Sequence, residues 1–207
     1  MEVLRSLRYS LYIIFHPFDG FWDLKHEKRG NLKAAFILVF ALGLTYVLQV
    51  QYKGFIFNLN DPSRLNIFIQ FVGVIIPFAL WCVANWCLTT LMDGEGSFKD
   101  IVITTAFALT PMIIINFFNI IFSNLITVEE AAFLNFFQSL ALLWSGALII
   151  FGTMVVHQYT LPKTILTSVL IVIGMGLILF IALLFFSLIQ QIYTFIYIIF
   201  KEISLRL

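Results

Sequence analysis

Two stretches without a single Asp, Glu, Lys or Arg, Leu65 to Met92 and Ile101 to Val128, are each 28 residues long and are separated by only Asp93-Gly94-Glu95-Gly96-Ser97-Phe98-Lys99-Asp100. About 20 helical residues cross the hydrocarbon core of a bilayer, so each stretch fits a membrane-crossing helix with length to spare. A soluble domain has roughly 45–50% apolar and about 25% charged residues. This chain has 61% and 11%. Most of its side chains therefore have lipid as their solvent, and the fold class is an all-α polytopic membrane bundle. Each long stretch carries one proline, Pro77 or Pro111, which removes a backbone N–H and crowds the carbonyl four residues earlier, at Gly73 or Phe107.

Taken in order, Met1 to Phe15 reads as an amphipathic helix, with Val3, Leu4, Leu7, Leu11 and Ile14 at helical spacing and Arg5, Ser6 and Arg8 elsewhere. It is too short and too charged to span, and the residues after it offer no small-residue cleavage site. The expectation is a helix in the headgroup plane, with Phe18, Phe21 and Trp22 as interfacial anchors. Residues 1–33 form this polar and interfacial segment. The expected spans are about 34–52, 65–92, 101–127, 131–161 and 164–186, with a turn signal at Asn60-Asp61-Pro62-Ser63 after the first and Glu129-Glu130 after the third. The last charge-free run, Thr164 to Phe200, would be roughly 55 Å as a helix and is too long for one upright span. Either it projects beyond the bilayer, or it breaks after about Phe186 and leaves 187–207 as an amphipathic extension. With five spans and the N-terminus inside, Lys and Arg divide eight inside to four outside, which favours that orientation.

Polar residues within the spans fall in stripes. Pro77, Trp81, Asn85 and Thr89 repeat every four residues in the second span; Met112, Asn116, Asn119 and Ser123 follow in the third; Asn135, Gln138 or Ser139, Ser145 and Gly152 lie near one side of the fourth. A polar group in hydrocarbon needs a partner, so the three stripes are expected to face one another, either fastening the helices or lining a passage for a small solute. Pro111 belongs with them as a second helix-breaking position. No acid or base stands in mid-membrane, where proton or ion relays need one.

The sequence offers no enzymatic constellation. His16, His26 and His157 lie at or outside the span boundaries without a carboxylate or cysteine at ligand spacing, so neither metal nor cofactor is implied. Cys82 and Cys87 are five apart and fall on different faces of a helix, as unreactive thiols. A net charge of +1 with no long run of one sign excludes a nucleic-acid groove. The charged turn itself lacks the ligand alternation of a calcium loop. Asp93-Gly94 and Gly96 read as a tight turn, with Asp100 where negative charge suits a helix N-terminus. Its residues Asp93, Gly94, Glu95, Gly96, Phe98, Lys99 and Asp100 are the candidate partner-binding loop.

Phe15-His16-Pro17-Phe18-Asp19-Gly20-Phe21-Trp22-Asp23-Leu24, the second span with Pro77 and ending near Trp86, and Gly94-Glu95-Gly96-Ser97-Phe98-Lys99-Asp100 running into Ala106-Phe107-Ala108-Leu109-Thr110-Pro111 together resemble the bacterial branch of the Yip1 family. The likeness implies five transmembrane helices, a cytosolic N-terminus and residence in the cell membrane. Eukaryotic relatives bind small GTPases through a long cytosolic domain that this chain lacks, so that partner is not carried over. Bacterial members have no assigned reaction, and some are encoded beside carbohydrate importers. The expectation is a non-enzymatic protein in the lipid bilayer that acts through a membrane-protein partner or a second copy of itself, as an accessory subunit of a transport complex or a membrane organiser. The alternative is a small-solute transporter or channel built on the polar stripes.

Overall fold

A computed structural model describes residues 2–58 and 65–206, apart from the side chain of Arg206; the Asn60-Asp61-Pro62-Ser63 signal lies outside the described residues. The helices are α1 (Glu2–Phe15), α2 (Pro17–His26), α3 (Leu32–Tyr52), α4 (Ile67–Leu91), α5 (Phe98–Ala108), α6 (Thr110–Phe122), α7 (Ala131–His157) and α8 (Leu161–Arg206), with a 3-10 turn at Val128–Glu130 before α7. Among the described residues, five stretches are long and apolar enough to cross a membrane: α3, α4, α5 with α6, the 3-10 turn with α7, and α8.

The third span is two helices rather than one kinked rod. The chain breaks at Leu109, and Pro111 lies in the first turn of α6, where its missing N–H is not needed. The carbonyl of Phe107 instead receives the Thr110 hydroxyl at 2.7 Å. Pro77, by contrast, stays inside a continuous α4. The fourth span ends at His157, earlier than expected, because Gln158 adopts a left-handed cap conformation (φ 54°, ψ 38°).

The core surrounds α5, whose residues Ile101 to Ala108 are all buried. α5 packs on α3, α4 and α7, and Ile103, Ala106, Phe107 and Ala108 share one apolar cluster with Ala34, Ala35, Leu38 and Val39 of α3 and Leu148 of α7. Gly152 of α7 faces Thr104 of α5 and the Phe21 ring so closely that a β-carbon there would displace both.

The two N-terminal helices pack against each other and against the bundle. They form a hairpin that leans on the bundle, turning at His16 and Pro17. Trp144 of α7 donates to the Ile14 carbonyl at 3.2 Å, the Phe18 and Phe151 rings lie 4.9 Å apart, and Lys25 reaches the Val156 carbonyl at 2.9 Å. The contacts climb α7 in step with the chain, so α2 rises alongside α7 and α1 descends towards the turn. The buried face of α1 is Ser6, Ser10 and Ile13, whereas Leu4 and Leu11 are exposed. Short hydroxylated side chains allow that close approach: Ser6 donates to Arg29 O at 3.0 Å and Ser10 to Leu7 O at 2.7 Å. Phe18 and Trp22 point outward as expected of anchors, but Phe21 is wholly buried in the core. Tyr9 donates to Asp23 at 2.7 Å beneath the Arg29 guanidinium, and burial followed by that carboxylate raises the pKa of its phenol above the ordinary value.

The last segment does not break after Phe186: it is a single helix, α8. It has no glycine or proline after Gly176 and runs unbroken for 46 residues, about 69 Å at 1.5 Å per residue. It packs chiefly on α4, and from Leu183 to Leu205 every side chain is exposed.

The polar stripes pair in a different order from the one expected. Asn116 of α6 donates to Thr45 of α3 at 3.3 Å, and Asn119 donates to Gln138 of α7 at 3.1 Å. Asn135 is exposed, away from the others. α4 packs on α3, α5 and α8, so Asn85 and Thr89 are buried without meeting the stripes of the third and fourth spans as a set. The first span was the missing partner, its hydroxyl at Thr45 hidden among aliphatic residues. Cys82 is buried and Cys87 exposed, in keeping with their different helical faces.

Candidate functional site

The charged turn lies where α4 and α7 end and α5 and α8 begin. Helix C-termini present unsatisfied carbonyls and a partial negative charge, and N-termini the reverse. The side chains follow that logic. Lys163 donates to Met92 O at the end of α4 at 2.9 Å, and its ammonium stands 4.1 Å from the centre of the Tyr159 ring. Tyr159 adds its hydroxyl to Met92 O at 3.0 Å. Lys25 donates to Val156 O near the end of α7 and forms an ion pair with Glu95 at 3.3 Å. At the start of α5 the sign is reversed. Asp100 accepts from the Ser97 backbone N–H at 3.1 Å and hydroxyl at 2.6 Å, while Ser97 accepts from the Asp100 N–H at 3.3 Å, a complete capping box.

The two glycines of the turn allow close packing. Asp93 is the residue with positive φ, at 57°, and no described glycine shares it. A β-carbon on Gly94 would fall 2.6 Å from His157 Nδ1 and 2.8 Å from the Tyr159 hydroxyl, and one on Gly96 would fall 2.7 Å from His157 Cε1. Glycine therefore lets the turn lie directly on the end of α7. The Gly96 N–H donates to His157 Nδ1 at 3.3 Å, so the imidazole accepts at Nδ1 and carries its proton on Nε2, which is buried without a partner among the described residues. Gln158 also donates to Glu95. Burial, then the nearby Asp93 carboxylate, holds the Tyr159 phenol above its usual pKa.

The structure thus brings Asp93, Gly94, Glu95, Gly96, Phe98, Lys99 and Asp100 to one end of the bundle, with Thr89 beneath them. Asp93, Glu95, Phe98 and Lys99 face outward, and the Phe98 ring meets Trp86 edge-on at 5.9 Å between centres. Pro77, Trp81 and Asn85 lie along α4 away from this end, and Pro111, Asn116, Asn119, Asn135 and Gln138 belong to α6 and α7. Sequence reasoning missed Lys25, His157, Gln158, Tyr159 and Lys163 as members of the site. Their only signal was the polar triplet His157-Gln158-Tyr159 at the end of an apolar run, matched to a glycine pair 61 residues earlier.

Hydrogen bonds to backbone account for most of these polar groups, and the cluster forms an outward-facing platform at this end of the bundle. In comparison with protein families, the Yip1 domain matches residues 11–184. That match ends beside Ala182, the last partly buried residue among those described in α8. No curated protein and no solved structure matches the chain.

Proposed function

Because the chain belongs to the Yip1 domain family, we propose that this multi-pass membrane protein is a non-enzymatic docking subunit whose charged turn binds a membrane-protein partner on the cytosolic side of the cell membrane. The carrying observation is the platform itself. Four helix ends and the N-terminal hairpin converge on it, where Lys163 and Tyr159 donate to Met92 O, Lys25 donates to Val156 O and the Ser97–Asp100 box caps α5. What remains free for recognition is a patch of mixed character, Asp93, Phe98 and Lys99, on a surface fixed from below. Such rigidity reduces the ordering cost of association. An accessory role in a transport complex or an organising role in the membrane fits this arrangement.

Site-specific photocrosslinking tests the reading. A photoreactive residue at Phe98 or Lys99 is expected to give a discrete protein adduct in native membranes, whereas one at Phe136, on the exposed side of α7, gives none. Equal adduct patterns from both faces, or none from either, count against a partner at the turn. Labelling single cysteines at Ser97 and Ser204 from each side of the membrane checks the sidedness; Ser97 accessible only from outside contradicts it.

A further inference from the structure

We propose that the far end of α8 is a self-association site, at which Phe185 to Ile203 of several copies of this chain wind together as a parallel coiled coil on the membrane face opposite the charged turn. The seam is written in the sequence: Phe185, Ile189, Ile192, Ile196, Ile199 and Ile203 are spaced four, three, four, three and four residues apart. That is the a and d pattern of a heptad repeat, with isoleucine at five successive seam positions. The structure turns the pattern into a surface, because α8 is helical throughout this stretch and all six side chains are exposed.

The other side of the same helix is polar. Ser187, Gln190, Thr194, Tyr197, Lys201 and Ser204 follow a three, four, three, four, three spacing and occupy the heptad positions opposite the seam. Thr194 donates to Gln190 O at 2.8 Å and Ser204 to Lys201 O at 3.3 Å, so these hydroxyls are satisfied within the helix. Two opposed stripes of this kind give the helix one wet side and one side that needs cover.

Length carries this surface out of the bilayer. The 46 residues of α8 measure about 69 Å and begin at the charged turn, where Lys163 holds the end of α4. A bilayer with its headgroups is about 40–45 Å thick, and even a tilt of about 40° leaves α8 reaching roughly 53 Å across it. The excess falls at the C-terminal end, where an isoleucine seam in water is costly to leave bare. Copies of the chain inserted in the same direction present the seam at the same height and in the same sense, parallel and in register. The positions flanking the seam hold a single charged residue, Glu202, too few to reserve it for a partner of opposite charge. Isoleucine at both seam positions favours three or more strands over two. The Yip1 match ends at residue 184, immediately before Phe185, so the seam lies outside the matched domain.

The test uses the full-length protein with Cys82→Ala and Cys87→Ala, reconstituted at a low protein-to-lipid ratio. Single cysteines are placed on the seam, as Ile192→Cys or Ile196→Cys, or on the outer face, as Thr194→Cys or Tyr197→Cys, and oxidised. Disulfide-linked dimers are expected to form several-fold faster at the seam. Native mass spectrometry from mild detergent is expected to give an assembly of three or more chains. Ile196→Asp with Ile199→Asp is expected to reduce it to single chains and Thr194→Asp to leave it intact, with thermal unfolding of the bundle unchanged in both. Single chains for the unsubstituted protein, equal disulfide rates at seam and outer positions, or seam disulfides to a different protein in native membranes each overturn the proposal. The charged turn lies at the other end of α8, so crosslinking there is read independently.

Discussion

Ile101 to Ala108 of α5 and Leu183 to Phe200 of α8 are both free of charge, yet every residue of the first is buried and none of the second is. Of the five candidate spans, the third is 61% buried over its most apolar window and the last only 6%. Apolarity does not separate them. In lipid there is little hydrophobic gain from pressing one helix on another, and association depends on close packing and polar contacts. The α5 segment carries Thr104, Thr105, Ala106 and Ala108, small enough for neighbouring backbones to approach. Apart from Ser187, Gln190, Gln191 and Thr194, the α8 segment is Leu, Ile, Phe and Tyr, which suit contact with lipid.

The contrast can be challenged by substitution in mild detergent, with thermal or chemical unfolding as readout. The largest effect is expected for Phe107→Ala, which removes a fully buried ring from α5 and should cost about 3–4 kcal/mol. Gly152→Leu should cost about 2–3 kcal/mol by forcing α7 away from Thr104 and Phe21. Ser97→Ala removes an N-cap and should cost about 1 kcal/mol. Glu95→Gln loses an ion pair to a carboxylate that is 58% exposed, so a few tenths of a kcal/mol is expected, diminishing as salt is raised. Phe195→Ala, on the exposed part of α8, should change stability by less than about 0.5 kcal/mol. A loss at Phe195 rivalling that at Phe107 would abolish the distinction between the two regions.

The five spans were legible because a charge-free run of membrane length has few other uses. The division of the third at Leu109 was not, since Pro111 reads equally well as a kink or as the first turn of a new helix. The Thr110 hydroxyl, which takes over the Phe107 carbonyl, decides between them. The N-terminal hairpin was hidden for a similar reason: apolar periodicity marks Leu4 and Leu11, while hydrogen bonding buries Ser6 and Ser10. At the candidate site the turn itself was visible, but Lys25 and His157 meet it from 70 and 61 residues away, a pairing that only the packing of α2 and α7 against α5 produces. The role of the turn in partner binding rests with the crosslinking experiment above.

The unbroken course of α8 has a mechanical consequence. An unbroken helix about 69 Å along its axis, seated over its first part against α4, acts as a lever arm: a tilt of about 5° at its base swings the tip by about 6 Å. Small adjustments of angle within the bilayer are thereby magnified into displacements comparable to a full helical turn at the distant end.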